Sequence, residues 1–369
     1  MQRRPRTRRM ARRSGAVMAI VALASASACA GSAPGGAQGS AAVARRAALW
    51  LAHQVGDQGF VPTSSGSGPD LSSTAQSVLA LAAADTGRAQ AAAEMGYLTS
   101  HAQQYAEVDG AEGPGQLGIL ILDAEAMGSD PRRFGGTDLV AALLGTEQPS
   151  GPNDGMFGTD AQAADEVAGS YDQGIALAAL AAAGVQGTAA VRRAAAWLSG
   201  QQCPGGGWTL PDDAANPCSG PSPDAGPDTN STAMAVQGLA AQGDLGPDAE
   251  RRAIGFLTRT QQPDGGWSLG PATSGGAQAD PDSTALVIQA LTATGVSVTG
   301  SRFARGSADP DTALLGFRVR QGTGAGAFYF PPAPAPANII ATYQAIPALL
   351  GLTVERIPSS SRFRNGGGG

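Results

Sequence analysis

No lysine occurs in the 369-residue chain; all twenty-four of its basic residues are arginine. Histidine appears twice, at His53 and His101, and cysteine three times, at Cys29, Cys203 and Cys218. So thin a ligand supply excludes a zinc centre of the usual four side chains. With only two histidines no Ser/His/Asp arrangement is credible either, and each histidine reads as an exposed residue at a helix end. Only eighteen residues are Phe, Trp or Tyr, too few to wall a large aromatic cavity. No Cys-Gly-Glu-Gln run exists for an internal thioester. No run of alternating β-branched residues occurs, so strands are not expected. Glycine runs such as Gly205 to Gly207 lack the lysine and strand context of a phosphate loop and read as turns.

What is present begins with a basic leader. Residues 1–13 carry seven arginines and no acid, and they run into an apolar stretch from Gly15 to Ala26. That stretch is well short of the roughly 20 residues that span a bilayer as a helix. Residues 1–28 therefore read as a secretory signal peptide and 29–40 as a flexible linker. Ala26-Ser27-Ala28 offers an A-x-A cleavage site, while Cys29 after small residues resembles a lipoprotein box in which Ala26 stands where leucine or valine is usual. Simple cleavage gives a secreted protein; lipidation at Cys29 gives one held on the outer face of the cytoplasmic membrane, its only membrane contact. Without the leader, 17 basic residues face 30 acidic ones, a net charge of −13. That balance argues against nucleic acid and anionic lipid as partners. In an exported chain Cys203 and Cys218, fifteen positions apart in a Pro/Gly-rich loop, should pair. Closing that loop is worth about 3 kcal/mol in the chain-entropy model.

A chain of this length invites a search for repeats. AAVRRAAAWLSGQQCPGGGW from Ala189 and DAERRAIGFLTRTQQPDGGW from Asp248 share a helix-forming run, a Gln-Gln pair and a Gly-Gly-Trp turn. Each leads through a polar loop into an alanine-rich helix, NSTAMAVQGLAAQG from Asn230 and DSTALVIQALTATG from Asp282. A weaker copy opens the domain around Trp50 and Asp70, two degenerate copies follow, and a last one runs from Asp311 to the helix at Asn338. The anchors Trp50, Tyr97, Leu143, Trp197, Phe256 and Phe317 are 46 to 61 residues apart. The second helix of each copy is nearly all Ala, Leu, Val and Ile, as a helix buried all round requires, whereas the first is amphipathic with arginine pairs such as Arg192-Arg193. One ring of helices should therefore lie inside another. The expected fold is all-α: six helix hairpins closing into an α/α toroid over 41–355, a monomer, followed by a disordered tail over 356–369.

The Gln-Gln…Gly-Gly-Trp pattern at Gln201 to Trp208 and Gln261 to Trp267 resembles the QW motif of the prenyltransferase and squalene cyclase superfamily. The resemblance implies a scaffold role for Gln202, Trp208, Gln262 and Trp267. The stretch from Gly115, GQLGILILDAEAMGSDPRRFGGTDLVAALL, and SYDQGIALAALA from Ser170 are similar to the cobalamin carriers, the intrinsic factor and transcobalamin group, and their bacterial relatives. That likeness implies a corrinoid or similar polar ligand. The carriers clamp it with a second, β-rich domain, and no such domain is expected in this sequence, which reads as ending with the toroid and its tail.

Class II terpene cyclases open an inner helix with D-x-D-D-T-A, whose middle aspartate is the acid. Asp280-Pro281-Asp282-Ser283-Thr284-Ala285 comes close, with Asp282 at the acid position and Ser283 replacing the last carboxylate. Asp280 and Asp282 are thus the catalytic candidates. The weightier reading is helix capping, because Asp70, Asn230, Asp282 and Asn338 all stand at or just before the first turn of an inner helix. Six such helix starts converge on one mouth of a toroid. Asp70, Tyr171, Asp172, Gln173, Asp228, Asn230, Asp282, Asn338 and Tyr343 are expected to line it and to hydrogen-bond a polar small molecule or peptide. The function expected is non-catalytic ligand binding that requires no cofactor and no metal. A cyclase-like enzyme and a cell-surface protein-binding scaffold are the alternatives.

Overall fold

The computed structural model describes residues 35–66, 68–164, 167–209, 218, 226–270, 278–333 and 335–365. The expected signal peptide and Cys29 lie outside the described residues. The linker expected over 29–40 is corrected at its end, because Gly35 to Ser40 already belong to the first helix.

In chain order the helices are α1 (Gly35–Ala52), α2 (Leu71–Ala83), α3 (Arg88–Ser100), the short α4 (Ala102–Ala106), α5 (Pro114–Met127), α6 (Leu139–Gly145), the short α7 (Asp160–Ala164), α8 (Ser170–Ala182), α9 (Ala189–Gly200), α10 (Thr229–Gln242), α11 (Pro247–Thr260), α12 (Pro281–Ala293), α13 (Pro310–Gly316), α14 (Ile339–Leu349) and α15 (Arg356–Ser360). Among the described residues α2, α5, α8, α10, α12 and α14 pack in a closed cycle, α14 returning to α2. Around them α3 lies on α2, α6 on α5, α9 on α8 and α10, α11 on α10, and α13 on α12. The fold is an α/α toroid. Its wall is tightest where glycines replace side chains: a Cβ on Gly118 would meet Ile175, and one on Gly174 or Gly238 would meet the backbone of the facing helix. Those contacts hold α5, α8 and α10 at backbone distance, which only a missing side chain permits.

The turns after α1, α6, α9 and α13 each reach the next outer helix, Gly59 against Ala93, Gly155 against Arg193, Gly206 against Arg252 and Gly326 against Arg46. Trp208 and Trp267 are fully buried, and their indole N–H groups donate to Leu198 O at 2.7 Å and Leu257 O at 2.8 Å. These bonds satisfy carbonyls that a helix C-terminus leaves orphaned. The Gln202 amide donates to Gly206 O and to Ala249 O of α11, both at 2.9 Å. In the next turn this bridging falls to Gln261, which donates to Gly265 O at 2.9 Å and Phe303 O at 2.8 Å. Gln262 bonds Ser268 Oγ instead, at 2.7 Å. The extra residue before Gly205 shifts the register by one. Gly206, at φ 93°, sits against Arg252 of α11; its counterpart Gly326, at φ 103°, sits against Arg46 of α1. The last turn thus docks on the first helix, and Trp50 Nε1 donates to Thr323 O at 3.3 Å across the same seam.

Cys203 and Cys218 are disulfide-bonded, with Cα atoms 5.5 Å apart. Two short antiparallel ribbons, β1 (Glu107–Val108) with β2 (Ala111–Glu112) and β3 (Phe328–Tyr329) with β4 (Ala337–Asn338), depart from the strand-free expectation. In the second, Phe328 pairs with Asn338 and Tyr329 with Ala337, which ties the turn to the start of α14.

The disordered tail expected over 356–369 is corrected for 356–365. α15 packs on α2, α5 and α8 and closes the toroid at the C-terminal ends of the inner helices, with Ile357 and Phe363 buried. Val354 N donates to Gln237 Oε1 at 3.1 Å inside the ring, and Arg362 N to Asp85 Oδ1 at 2.7 Å. Arg364 pairs with Glu125 at 3.4 Å. A polar, serine-rich sequence read alone gives no sign of this, because the apolar floor it covers is assembled only when the ring closes. Truncating Ile357 to Ala is expected to lower unfolding stability by about 2–5 kcal/mol in chemical denaturation; an unchanged midpoint would mean that the segment does not seal the ring.

Candidate functional site

The inner helices all begin at one end of the toroid, and four of them, α2, α10, α12 and α14, share one cap, whereas α5 and α8 begin at Gly113 and Gly169 without a side-chain cap. The carboxylate or amide of Asp70, Asp228, Asp280 and Asn338 accepts from the backbone N–H three residues on, at 2.9, 2.7, 2.7 and 2.9 Å. The capping expected of Asn230 and Asp282 is therefore corrected. The caps lie two residues earlier, because Thr229 and Pro281 already take helical positions.

Four residues after each cap a threonine hydroxyl, of Thr74, Thr232, Thr284 or Thr342, accepts from the N–H of Val61, Trp208, Trp267 or Phe328 at 2.9–3.0 Å. In α8 that post is held by Gln173. Its Oε1 accepts from Phe157 N at 3.0 Å, and its Nε2 donates to Phe157 O at 2.6 Å and Ala168 O at 3.0 Å. Gln173 is thus a buried strut with its amide occupied by backbone. Asp70, Asp228, Asp280 and Asn338 are likewise engaged with their own helices.

Displacing the caps by two residues turns the next position inward, and there Tyr171, Asn230 and Asp282 remain partly exposed. Asp172 joins them from α8. A Cβ on Gly115 of α5 would collide with its carboxylate, so the bare glycine leaves that carboxylate its place. Below this layer come Tyr343 and Gln344 of α14, the Gln344 side chain hydrogen-bonding the Tyr171 hydroxyl. Gln76, Gln289 and Gln344 were not singled out from sequence. Their only signal there was an amide inside an otherwise apolar inner helix.

The lumen beneath is walled by Leu79, Ile119, Ile175, Met234 and Leu286 and floored by Val354 and Ile357. Its free volume is about 40 Å³. That is room for about three waters at 10–15 Å³ each. Larger hollows of about 320 and 560 Å³ lie elsewhere, beside β1–β2 and beside Trp50, without such a convergence of inner-helix side chains.

The electrostatics of the mouth follow from burial without cations. No arginine lines the lumen. Burial, together with the charge of Asp280, pushes the Asp282 carboxyl up to about 7, and its buried Oδ1 has no hydrogen-bond partner. Burial likewise raises Asp172 to about 7. Asp228 rises only to about 6, because Ser231 bonds its charged form. Tyr171 and Tyr343 are raised by burial and then by neighbouring acidic groups, Asp282 among them. At neutral pH the mouth therefore presents neutral phenols, amides and half-protonated carboxyls, which both donate and accept hydrogen bonds. His101 stacks on Tyr97 with ring centroids 4.0 Å apart, on α3 of the outer ring. Among the described residues no group of three or more His, Cys, Asp or Glu could hold a metal ion, and no helix is long and apolar enough to cross a membrane.

The model of the squalene-hopene cyclase C-terminal domain matches residues 147–280, the stretch that carries α7 to α11. No curated protein matches the chain by sequence. Among solved structures, the unsaturated glucuronyl hydrolase from Bacillus sp. GL1 is similar over 86% of this chain and 96% of its own, with a TM-score of 0.59 at 18% identity. A type II terpene cyclase from Scytonema, bound to its substrate geranylgeranyl dihydroxybenzoate, is similar over 88% of this chain and 99% of its own, with a TM-score of 0.56 at 14% identity. The chain spans 50% of the length of an ent-copalyl diphosphate synthase from Streptomyces platensis, at 21% identity over 76% of itself and a TM-score of 0.46. With the ring closed, the tryptophan turns in place and the cyclase-domain match lying on its central repeats, the chain has the α/α toroid fold of the prenyltransferase and squalene cyclase-like superfamily.

Proposed function

We propose that the protein is an exported binding protein that seats a polar small molecule, or the polar part of a larger one such as a corrinoid, in the mouth formed by Tyr171, Asp172, Asn230, Asp282 and Tyr343. The observation that carries this reading is the combination of a polar mouth with a lumen of about 40 Å³. Enclosed sites for drug-sized ligands occupy roughly 300–1,000 Å³, so this ring offers contact at its rim and not engulfment. The Asp282 Oδ1 without a partner is the strongest single recognition group, since a buried oxygen left unpaired gains most from a ligand donor.

A cyclase-like enzyme is the second reading. It is favoured by one observation: Asp282 stands at the second position of its helix with its carboxyl raised to about 7, the protonated form that a general acid requires. The terpene cyclase from Scytonema lends it a fold and nothing more at 14% identity. The filled lumen weighs against it, as a polyprenoid needs a shielded cavity.

Because Asp282 has a raised pKa in the folded chain, its contribution to stability is full at low pH and falls as pH rises towards 7. Asp282→Asn should therefore be more stable than the parent by about 1–3 kcal/mol at pH 8 and gain nothing at pH 4; equal denaturation midpoints at pH 8 would refute the raised pKa.

For the ligand, thermal unfolding with cobalamins and with neutral oligosaccharides should reveal a binder that stabilises by about 2.7 kcal/mol at a hundredfold excess over Kd. That gain should shrink in Tyr171→Phe and Asp282→Asn. No shift and no change in corrin absorbance would remove the corrinoid. Turnover of geranylgeranyl dihydroxybenzoate that disappears in Asp282→Asn would replace binding with the second reading.

A further inference from the structure

Away from the mouth, the wall between α2, α3 and α5 encloses two carboxyl groups. Glu94 on α3 and Asp123 on α5 both have zero exposure, and all four of their carboxyl oxygens lack a hydrogen-bond partner. Ser77 on α2, also fully buried, lies near enough for its hydroxyl to favour the charged form of Glu94, yet neither its Oγ nor the Glu94 oxygens reach good hydrogen-bond geometry. Five buried oxygens thus share one place without an N–H donor among them. Natural interiors rarely leave even one such group unexplained.

Among the described residues no cation is placed to offset the charge. On the elements packed against the pair, Arg88 of α3 bonds Phe363 O, Arg132 and Arg133 pair with Asp138 and Asp130, and Arg364 pairs with Glu125 of α5. Arg356 of α15 faces Glu355, and Arg362 faces Asp85. From α4 comes the Tyr105 phenol, itself acted on by Asp123, and from α8 the acid Asp172 with Tyr171. Every neighbour is neutral, acidic or engaged elsewhere.

We propose that Glu94 and Asp123 fold as an acid pair that keeps its protons, so that the first two hairpins of the toroid form a pH-sensitive element that weakens as the surroundings turn alkaline. Two ionised carboxylates in a dry, cation-free wall are the costliest arrangement available to them. The direction of their titration agrees. Burial raises Glu94 to about 8, and burial together with Glu94 raises Asp123 well above its ordinary range. The folded chain then holds protons that the unfolded chain loses near pH 4. Stability contributed by the pair is full below that range and declines as pH climbs through about 8. The two groups titrate as one unit.

The test compares the full chain with Glu94→Gln/Asp123→Asn, which keeps the shapes and removes the titration. The parent Tm is expected to fall between pH 5.5 and pH 9, and the double variant to exceed the parent at pH 9 by about 5 °C or more. A parent Tm that holds steady over this range, or a variant no more stable than the parent at pH 9, overturns the proposal. So does a parent Tm that rises at pH 9 with calcium or magnesium and drops with chelator, since the five oxygens would then bind a cation and not protons. Should the double variant fail to fold, infrared spectra of the parent decide. A protonated-carboxyl band that persists at pH 8, weakened in Glu94→Gln or Asp123→Asn alone, supports the pair, and its absence from the parent refutes it.

Discussion

The toroid depends on one small joint, repeated where an outer helix hands over to an inner one. In α2, α10, α12 and α14 an Asx side chain caps the inner helix and four residues on a threonine hydroxyl takes the N–H of the turn; in α8, which begins at Gly169 without a side-chain cap, the Gln173 amide takes it. Buried backbone groups at such a corner would each cost about 1–3 kcal/mol if left unpaired. The joint satisfies them with side chains from the helix it starts. It also fixes the angle at which the chain enters the inner ring, and so decides which residues of the first turn face the centre.

The mouth follows from that angle. With Asp228 and Asp280 as caps, Asn230 and Asp282 are rotated off the capping position and stay partly exposed. The same shift leaves Asp282 desolvated, beside another carboxylate and with its Oδ1 without a partner. A site for hydrogen-bonding chemistry thus arises from a structural repeat with two residues to spare, and differences among repeats supply its asymmetry. A tyrosine and an aspartate at the positions of Tyr171 and Asp172 occur only in α8, whereas the glutamine six residues after the cap recurs, as Gln76 in α2 and Gln344 in α14.

Ring closure and lumen closure are separate events. The seam between Gly326 and α1 joins the two ends of the array. The segment from Val354 to Asn365 then covers the opposite face, and its Ile357 fills space that a wider ligand would need. That segment, and not the inner helices alone, sets how little of the lumen is free. The buried pair Glu94 and Asp123 sits in the same wall, so the stability of the ring and the protonation of its interior are linked.

Periodicity by itself determined the inner and outer helices, the tryptophan turns and the pairing of Cys203 with Cys218. Each rests on local spacing: an apolar face all round, a Gly-Gly-Trp turn, two cysteines in one loop. The caps at Asp70 and Asn338 stand where the sequence places them, while those of α10 and α12 lie two residues before Asn230 and Asp282, because Thr229 and Pro281 are as acceptable in a first helical turn as before it, and only the hydrogen bonds decide. The tail was misread because its partner surface is made of the ends of α2, α5 and α8, which come together only in the closed ring. Gln173 looked like a rim residue by its place in the motif and became a strut through Phe157 and Ala168. Local chemistry was legible where a residue and its partner lie in one turn or one loop; the mouth and the plug were decided by tertiary structure, since each depends on helices far apart in the chain, and the acid pair, although its helices α3 and α5 are neighbours in sequence, shows only when their packing buries both carboxyls together.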